Sequence, residues 1–146
     1  MNEIGNTYWL IVASKEHVKN GITSGIAQAC HGKSSQLRRM RKRDFVVYYS
    51  GKQNFGRPEK CQEFTALGKV LDEQTYQVHV SEDFCPSRRN IEFLQCEDIS
   101  ILPLINDLEF IQSKKKWGYP FRFGFFEISQ PDFDIISTQM LQRNHA

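Results

Sequence analysis

The apolar segments of this chain are short, and most have the composition of strands. TYWLIVA (7–13), DFVVYYS (44–50), FTALGKVL (64–71), YQVHV (76–80) and NIEFLQ (90–95) are rich in β-branched and aromatic residues. DFVVYYS is the clearest of them, and its alternation sets Tyr48 and Tyr49 on opposite faces, one inward and one outward. SGIAQAC (24–30) reads as a further strand or an extended loop. Helical signals between these segments are brief. Ser14 can cap a helix through about Asn20, which Gly21 stops. SSQLRRMR (34–41) reads as a helical turn capped by Ser34 or Ser35, and Pro103 opens a short stretch, PLINDLEF. Near the C-terminus, Ser129-Gln-Pro-Asp132 fits a capping box before a helix to about Gln142, with Phe133, Ile136 and Met140 on one face. Strands never alternate with helices of ten or more residues, which argues against a doubly wound sheet. The expectation is an α+β chain: a mixed, strongly curved sheet or small barrel with short peripheral helices.

The connecting segments carry turn chemistry. GKQNFGRPEK (51–60) and the stretch around Pro86 (83–89) read as loops. WGYPFRFGFF (117–126) is dense in aromatics, and its Gly and Pro residues argue against a long regular element. At 146 residues the chain reads as one domain, 1–146, long enough to bury a core without metals or disulfides. No apolar run approaches the roughly 20 residues that span a bilayer. The opening MNEIGNTYWLIVAS lacks the basic flank and cleavage site of a signal peptide, so a cytoplasmic location is expected. Cys30, Cys61, Cys85 and Cys96 have neither paired nor metal-finger spacing, and the four histidines are equally scattered. They read as reduced thiols with no metal site.

Signals for catalysis are absent or weak. The chain has no phosphate-binding glycine loop, no dinucleotide fingerprint and no nucleophile elbow. Asp72-Glu73 and Glu97-Asp98 look like solvated turns. Cys30 and His31 are adjacent, yet in an extended segment they point to opposite faces. Nothing in the sequence asks for a cofactor.

Binding signals are stronger. Up to Lys69 the chain has 12 basic and 5 acidic residues, and beyond it 7 against 12, so a net +7 is followed by −5. Such asymmetry points to a basic face. Its densest part is Lys33, Arg38, Arg39, Arg41, Lys42 and Arg43, suited to phosphate contact. Lys114, Lys115 and Lys116 stand directly before Trp117, a pairing that can hold a phosphate while a base stacks. Ser14, Tyr49, Ser50 and Gly51 lie at strand ends, where donors and a flat ring could accept a flipped base.

These segments resemble the EVE domain family. The resemblance rests on TYWLIVAS with its following short helix, on RDFVVYY after a basic turn, and on PLINDLEFIQSKKKWGYPF (103–121). It covers about residues 8–141, and the chain is similar in size to the stand-alone members called UPF0310. What it implies is a PUA-like β-barrel related to the YTH, ASCH and PUA domains, relatives that bind RNA or modified bases. Carried over by position, it implies a ligand pocket from Ser14, Lys15, Gly25, Ile26, Ala27, Tyr49, Ser50, Trp117, Gly118 and Phe121. Arg122 would join Arg38, Arg39, Lys42, Arg43 and Lys114 to Lys116 as phosphate contacts. Two positions depart from the family pattern. Some relatives have Trp where Ser24 stands, and many have Gly where Arg43 stands. The expected function is a non-enzymatic module that recognises a modified base in DNA or RNA. The alternatives are a small enzyme on a nucleoside-like substrate, or a small-molecule sensor or protein-interaction module.

Overall fold

The computed structural model describes residues 6–29, 34–82 and 86–143. Cys30, His31, Lys33, Cys85 and His145, weighed above as thiols, ligands or cations, lie outside them. A single eight-stranded mixed sheet organises the chain. Its strands are β1 (Tyr8–Val12), β2 (Ile26–Ala29), β3 (Phe45–Lys52), β4 (Lys60–Val70), β5 (Tyr76–Gln77), β6 (Ser87–Phe93), β7 (Ile99–Ser100) and β8 (Phe125–Ile128). The main path runs β2-β6-β4-β3-β1-β8, with β5 on β6 and β7 on β4. Among the described residues three α-helices accompany it: α1 (Lys15–Ser24), α2 (Ser34–Arg39) and α3 (Gln130–Arg143). The sheet curls into a half-barrel, the α+β architecture expected from the short strands and brief helices.

β1 and β3 pair in parallel, Tyr8 opposite Phe45 through Val12 opposite Tyr49. A parallel pair requires a crossover, and α1, β2 and α2 supply it. The other pairings are antiparallel. Both faces of the central strands are covered. One face packs Leu10, Val47, Tyr49, Phe64 and Leu67 against Leu104, Phe121, Phe133, Ile136 and Met140. The other packs Trp9, Val46, Tyr48, Ala66 and Ile91 against Val18 of α1 and Leu37 of α2. Tyr48 and Tyr49 therefore do alternate, but neither faces solvent, being 6% and 4% exposed. A strand covered on both faces has no outward side.

Several boundaries differ from the sequence reading, each for a physical reason. α1 runs through Gly21 to Ser24. It ends at Gly25, whose φ of 70° is left-handed and whose N–H donates to Gly21 O and Ile22 O. Gly21 is needed for space rather than as a stop, because a Cβ there would lie 3.0 Å from the carbonyl oxygen of Ile26. β3 and β4 extend into the expected loop, leaving only 53–59 as the hairpin connection, closed by Gln53 N donating to Glu59 O (3.1 Å). The expected strand at 76–80 shrinks to Tyr76–Gln77. β6 begins at Ser87, inside the expected loop, and carries Arg88 and Arg89 into the sheet.

Two buried charges fix the frame. Asp44, 1% exposed, accepts from Thr7 N (3.0 Å), Trp9 Nε1 (3.0 Å) and Arg41 N (2.8 Å), tying the starts of β1 and β3 to the turn after α2. Arg89 is fully buried. It donates to Asp72 Oδ1 (2.6 Å), Asp72 O (2.7 Å), Leu37 O (2.8 Å) and Met40 O (2.6 Å). The last two are carbonyls at the C-terminal end of α2, which the guanidinium caps. The capping box at α3 forms by half. Ser129 Oγ accepts from Asp132 N (3.2 Å), but the Asp132 carboxylate turns to Glu109 N (2.8 Å) and Phe110 N (3.1 Å), anchoring a remote loop.

Candidate functional site

Behind α1 lies a pocket of about 250 Å³ between α1, β2, β3 and β6. His17, Asn20, Gly21 and Ser24 come from α1, Ile26 and Gln28 from β2, Tyr48 from β3 and Arg88 from β6. The helical spacing of the first set and the two-residue spacing of the second turn these side chains to one space. Gln28 and Arg88 are direct cross-strand partners. Arg88 Nε donates to Gln28 Oε1 at 2.7 Å. Arginine only donates, so the bond commits the Gln28 oxygen and leaves its NH₂ as the free donor. Among the described residues no carboxylate lines the pocket. It thus presents a ring, apolar surface from Val18 and Ile26, the Arg88 and Gln28 donors, and the Asn20 and Ser24 side chains, which can donate or accept.

The structure separates the residues predicted from sequence into several roles. Ile26 lines this pocket, and Gly25 and Ala27 flank it, the first as helix cap and the second buried in the core. Ser14 caps α1 through His17 N (3.3 Å). Lys15 is held by Asp98 (2.9 Å) and Glu63 (3.7 Å). Its hydrogen bond to Asp98 raises its pKa, against the opposing effect of burial. Ser50 is fully buried on Thr65, Oγ to Oγ1 at 2.8 Å. Tyr49 lies in the opposite core layer, stacked on Phe121 at 3.9 Å and 13°. Trp117 is half-buried and meets Phe121 edge-on at 6.5 Å, while Gly118 is exposed. These do not converge on one cavity.

The cations fall into two groups. Arg38 and Arg39 are on α2, and exposed Arg41, Lys42 and Arg43 follow it. α2 packs against β2 and β6, the strands lining the pocket. Arg39 pairs with Glu127 (2.9 Å) and lies 5.0 Å from the Trp9 ring centre. Arg43 has a φ of 79°, a left-handed backbone that favours glycine. Lys114, Lys115, Lys116 and Arg122 form the second group, all exposed on the loop around a 3-10 turn (Tyr119–Phe123). Sequence reasoning missed His17, Asn20, Gln28, Tyr48 and Arg88. The two-residue period from Ile26 to Gln28 could have signalled Gln28, whereas Arg88 depends on a strand boundary hidden by Pro86.

Both cysteine thiols among the described residues have raised pKa values. Burial, followed by the Glu63 carboxylate, pushes the Cys61 thiol up to about 11. Cys96 is also raised, chiefly by burial. Among the described residues no group of three or more His, Cys, Asp and Glu side chains is placed to hold a metal. No helix among them is long and apolar enough to cross a membrane.

The curled mixed sheet, with three short α-helices among the described residues, has a PUA-like fold. The YTH domain of Zygosaccharomyces rouxii MRB1 protein, in complex with N6-methyladenosine RNA, superposes with a TM-score of 0.64 at 12% identity, over 96% of this chain and 90% of that one. Human THYN1 protein in complex with 5-methylcytosine-containing DNA gives 0.50 at 14% identity, over 92% and 98%. At such identities the likeness is one of fold. The EVE domain family model matches residues 7–139, and the chain belongs to that family. It is 48% identical over 129 residues to the UPF0310 protein in gntR 5'region of Bacillus licheniformis, covering 88% of each.

Proposed function

We propose that this protein is a non-catalytic module that binds nucleic acid by accommodating a modified base in the pocket behind α1. The carrying observation is that pocket: the Tyr48 ring, the apolar surface of Val18 and Ile26, and the Gln28 and Arg88 donors enclose one space without a carboxylate. A flipped base needs such a slot, with hydrogen-bonding groups at its edge. A donor-rich wall suits the carbonyl and ring-nitrogen acceptors of a base. Arg38, Lys42 and Arg43, on and after the helix that packs beside β2 and β6, are the phosphate contacts in this reading. The two structures of the same fold holding N6-methyladenosine RNA and 5-methylcytosine DNA support it. Ser24 is a small residue on the pocket lining, and Tyr48 is its aromatic surface.

The test is competition between oligonucleotides with and without a modified cytosine or adenine, at low and physiological salt. One modified base is expected to be preferred. Gln28→Ala and Arg88→Ala should reduce that preference about tenfold, since each removes a part-buried polar contact of about 1–3 kcal/mol. Equal affinity for all oligonucleotides, unchanged in both variants, would remove the base from the pocket.

A further inference from the structure

We propose a second contact surface, on the opposite core layer from the pocket: a stacking platform for an unpaired nucleotide strand, made by Tyr119 and Phe123 and bordered by Lys114, Lys115, Lys116 and Arg122. It rests on the nucleic-acid reading and adds a class of partner, single-stranded nucleic acid, and a location. The sequence pattern pointed to Trp117 as the stacking ring. In the fold Trp117 is half-buried against the core, while Tyr119 and Phe123 are 54% and 65% exposed.

The exposure is enforced by the turn that carries them. Phe121 between them points inward and stacks on Tyr49 at 3.9 Å. The turn is closed by Tyr119 N to Lys116 O (3.0 Å) and Phe121 N to Gly118 O (3.1 Å), and Val12 N ties its end to β1 through Gly124 O (2.8 Å). The two outer rings meet edge-to-face at 5.7 Å and 86°. With Phe110 and Pro120 they line a groove of about 480 Å³. Arg122 lies 5.8 Å from the Tyr119 ring centre, bringing a cation to the platform itself.

Charge selects the occupant. From Phe110 to Phe126 the chain has four cations and no carboxylate. None of the four joins an ion pair among the described residues. Rings fixed outward beside unpaired cations match a polyanion with flat, stackable groups. An apolar protein surface would meet the rings but leave the cations unmatched.

The experiment measures binding of labelled oligothymidylate, without any modified base, by fluorescence anisotropy across a salt series. Wild type is compared with Tyr119→Ala, Phe123→Ala, Tyr119→Phe and Lys115→Gln. Each ring removed should weaken binding about tenfold, Tyr119→Phe should retain it, and Lys115→Gln should reduce the salt slope by about 0.7. Both rings are exposed, and circular dichroism checks that the variants fold. Wild-type binding unaffected by either alanine would overturn the platform, as would absence of binding to the unmodified strand. Neither result touches the pocket, which is read separately by modified-base preference and its loss in Gln28→Ala. If that preference vanishes while ring-dependent oligothymidylate binding persists, the pocket reading fails and the platform stands.

Discussion

Replacing Arg89 by methionine should destabilise the protein by about 3 kcal/mol, and the number can be built from the structure. The guanidinium is completely buried and serves four acceptors: Asp72 Oδ1, Asp72 O, Leu37 O and Met40 O. Its loss leaves three carbonyls without this donor, at about 1 kcal/mol each. The Asp72 carboxylate loses its partner but is 22% exposed and keeps Asn90 N at 2.9 Å, so its share is held to about 1–2 kcal/mol. The sum agrees with the roughly 3–5 kcal/mol found on breaking buried ion pairs. Methionine fills part of the volume and returns about 1–2 kcal/mol of apolar burial. With a urea dependence of about 2 kcal/mol per molar, the unfolding midpoint should fall by about 1.5 M. Circular dichroism in urea reads this directly. A shift below about 0.5 M would refute the reasoning, because it would mean that the buried charge contributes no net stability. The cycle with Asp72→Asn adds a second check: the double variant should lose less than the sum of the single losses.

Arg43→Gly should raise stability by about 1 kcal/mol, since a non-glycine residue at a φ of 79° is strained; a thermal midpoint higher by a few degrees is the expected reading. The same variant should weaken nucleic-acid binding if the charge touches phosphate. Lys15→Met should lower stability at pH 8 by less than about 1 kcal/mol for a partly solvated pair, read as a small fall in the urea midpoint. The folded pKa of Lys15 is raised, so this contribution is complete below 10.5 and is lost as pH rises through the higher folded value. The gap between wild type and Lys15→Met should therefore close in strong base. Cys61, pushed from 9.0 to about 11, should alkylate at pH 8 about tenfold more slowly than an unperturbed thiol, its scarcer thiolate being only partly offset by greater nucleophilicity, and normally once the chain is denatured.

The sequence was most informative where a segment carries its own reason for its shape. DFVVYYS is a strand wherever it packs, and Ser129 finds its own helix N–H. Reading failed where the reason is remote. Arg88 and Arg89 after Pro86 resemble an exposed loop until Asp72 and the end of α2, both distant along the chain, receive the buried guanidinium. The same holds for the pocket. Gln28 and Arg88 are 60 residues apart, and only the β2–β6 register brings them opposite each other. Tyr49 looked more available than Tyr48 because a strand end reads as an exit to solvent. Here the aromatic turn folds over that end and Phe121 covers the ring.

The place of β1 between β3 and β8 has a consequence for how the chain is made. β1 leaves the ribosome before either of its two neighbours, β3 and β8. Its place beside β8 stays vacant until residues 125–128 have been synthesised, on the order of ten seconds later at cellular rates. During that interval one edge of β1 is open, and the layer later sealed by Phe133, Ile136 and Met140 of α3 faces solvent. A ribosome stalled before β8 should therefore hold a nascent chain that recruits chaperones and yields readily to protease.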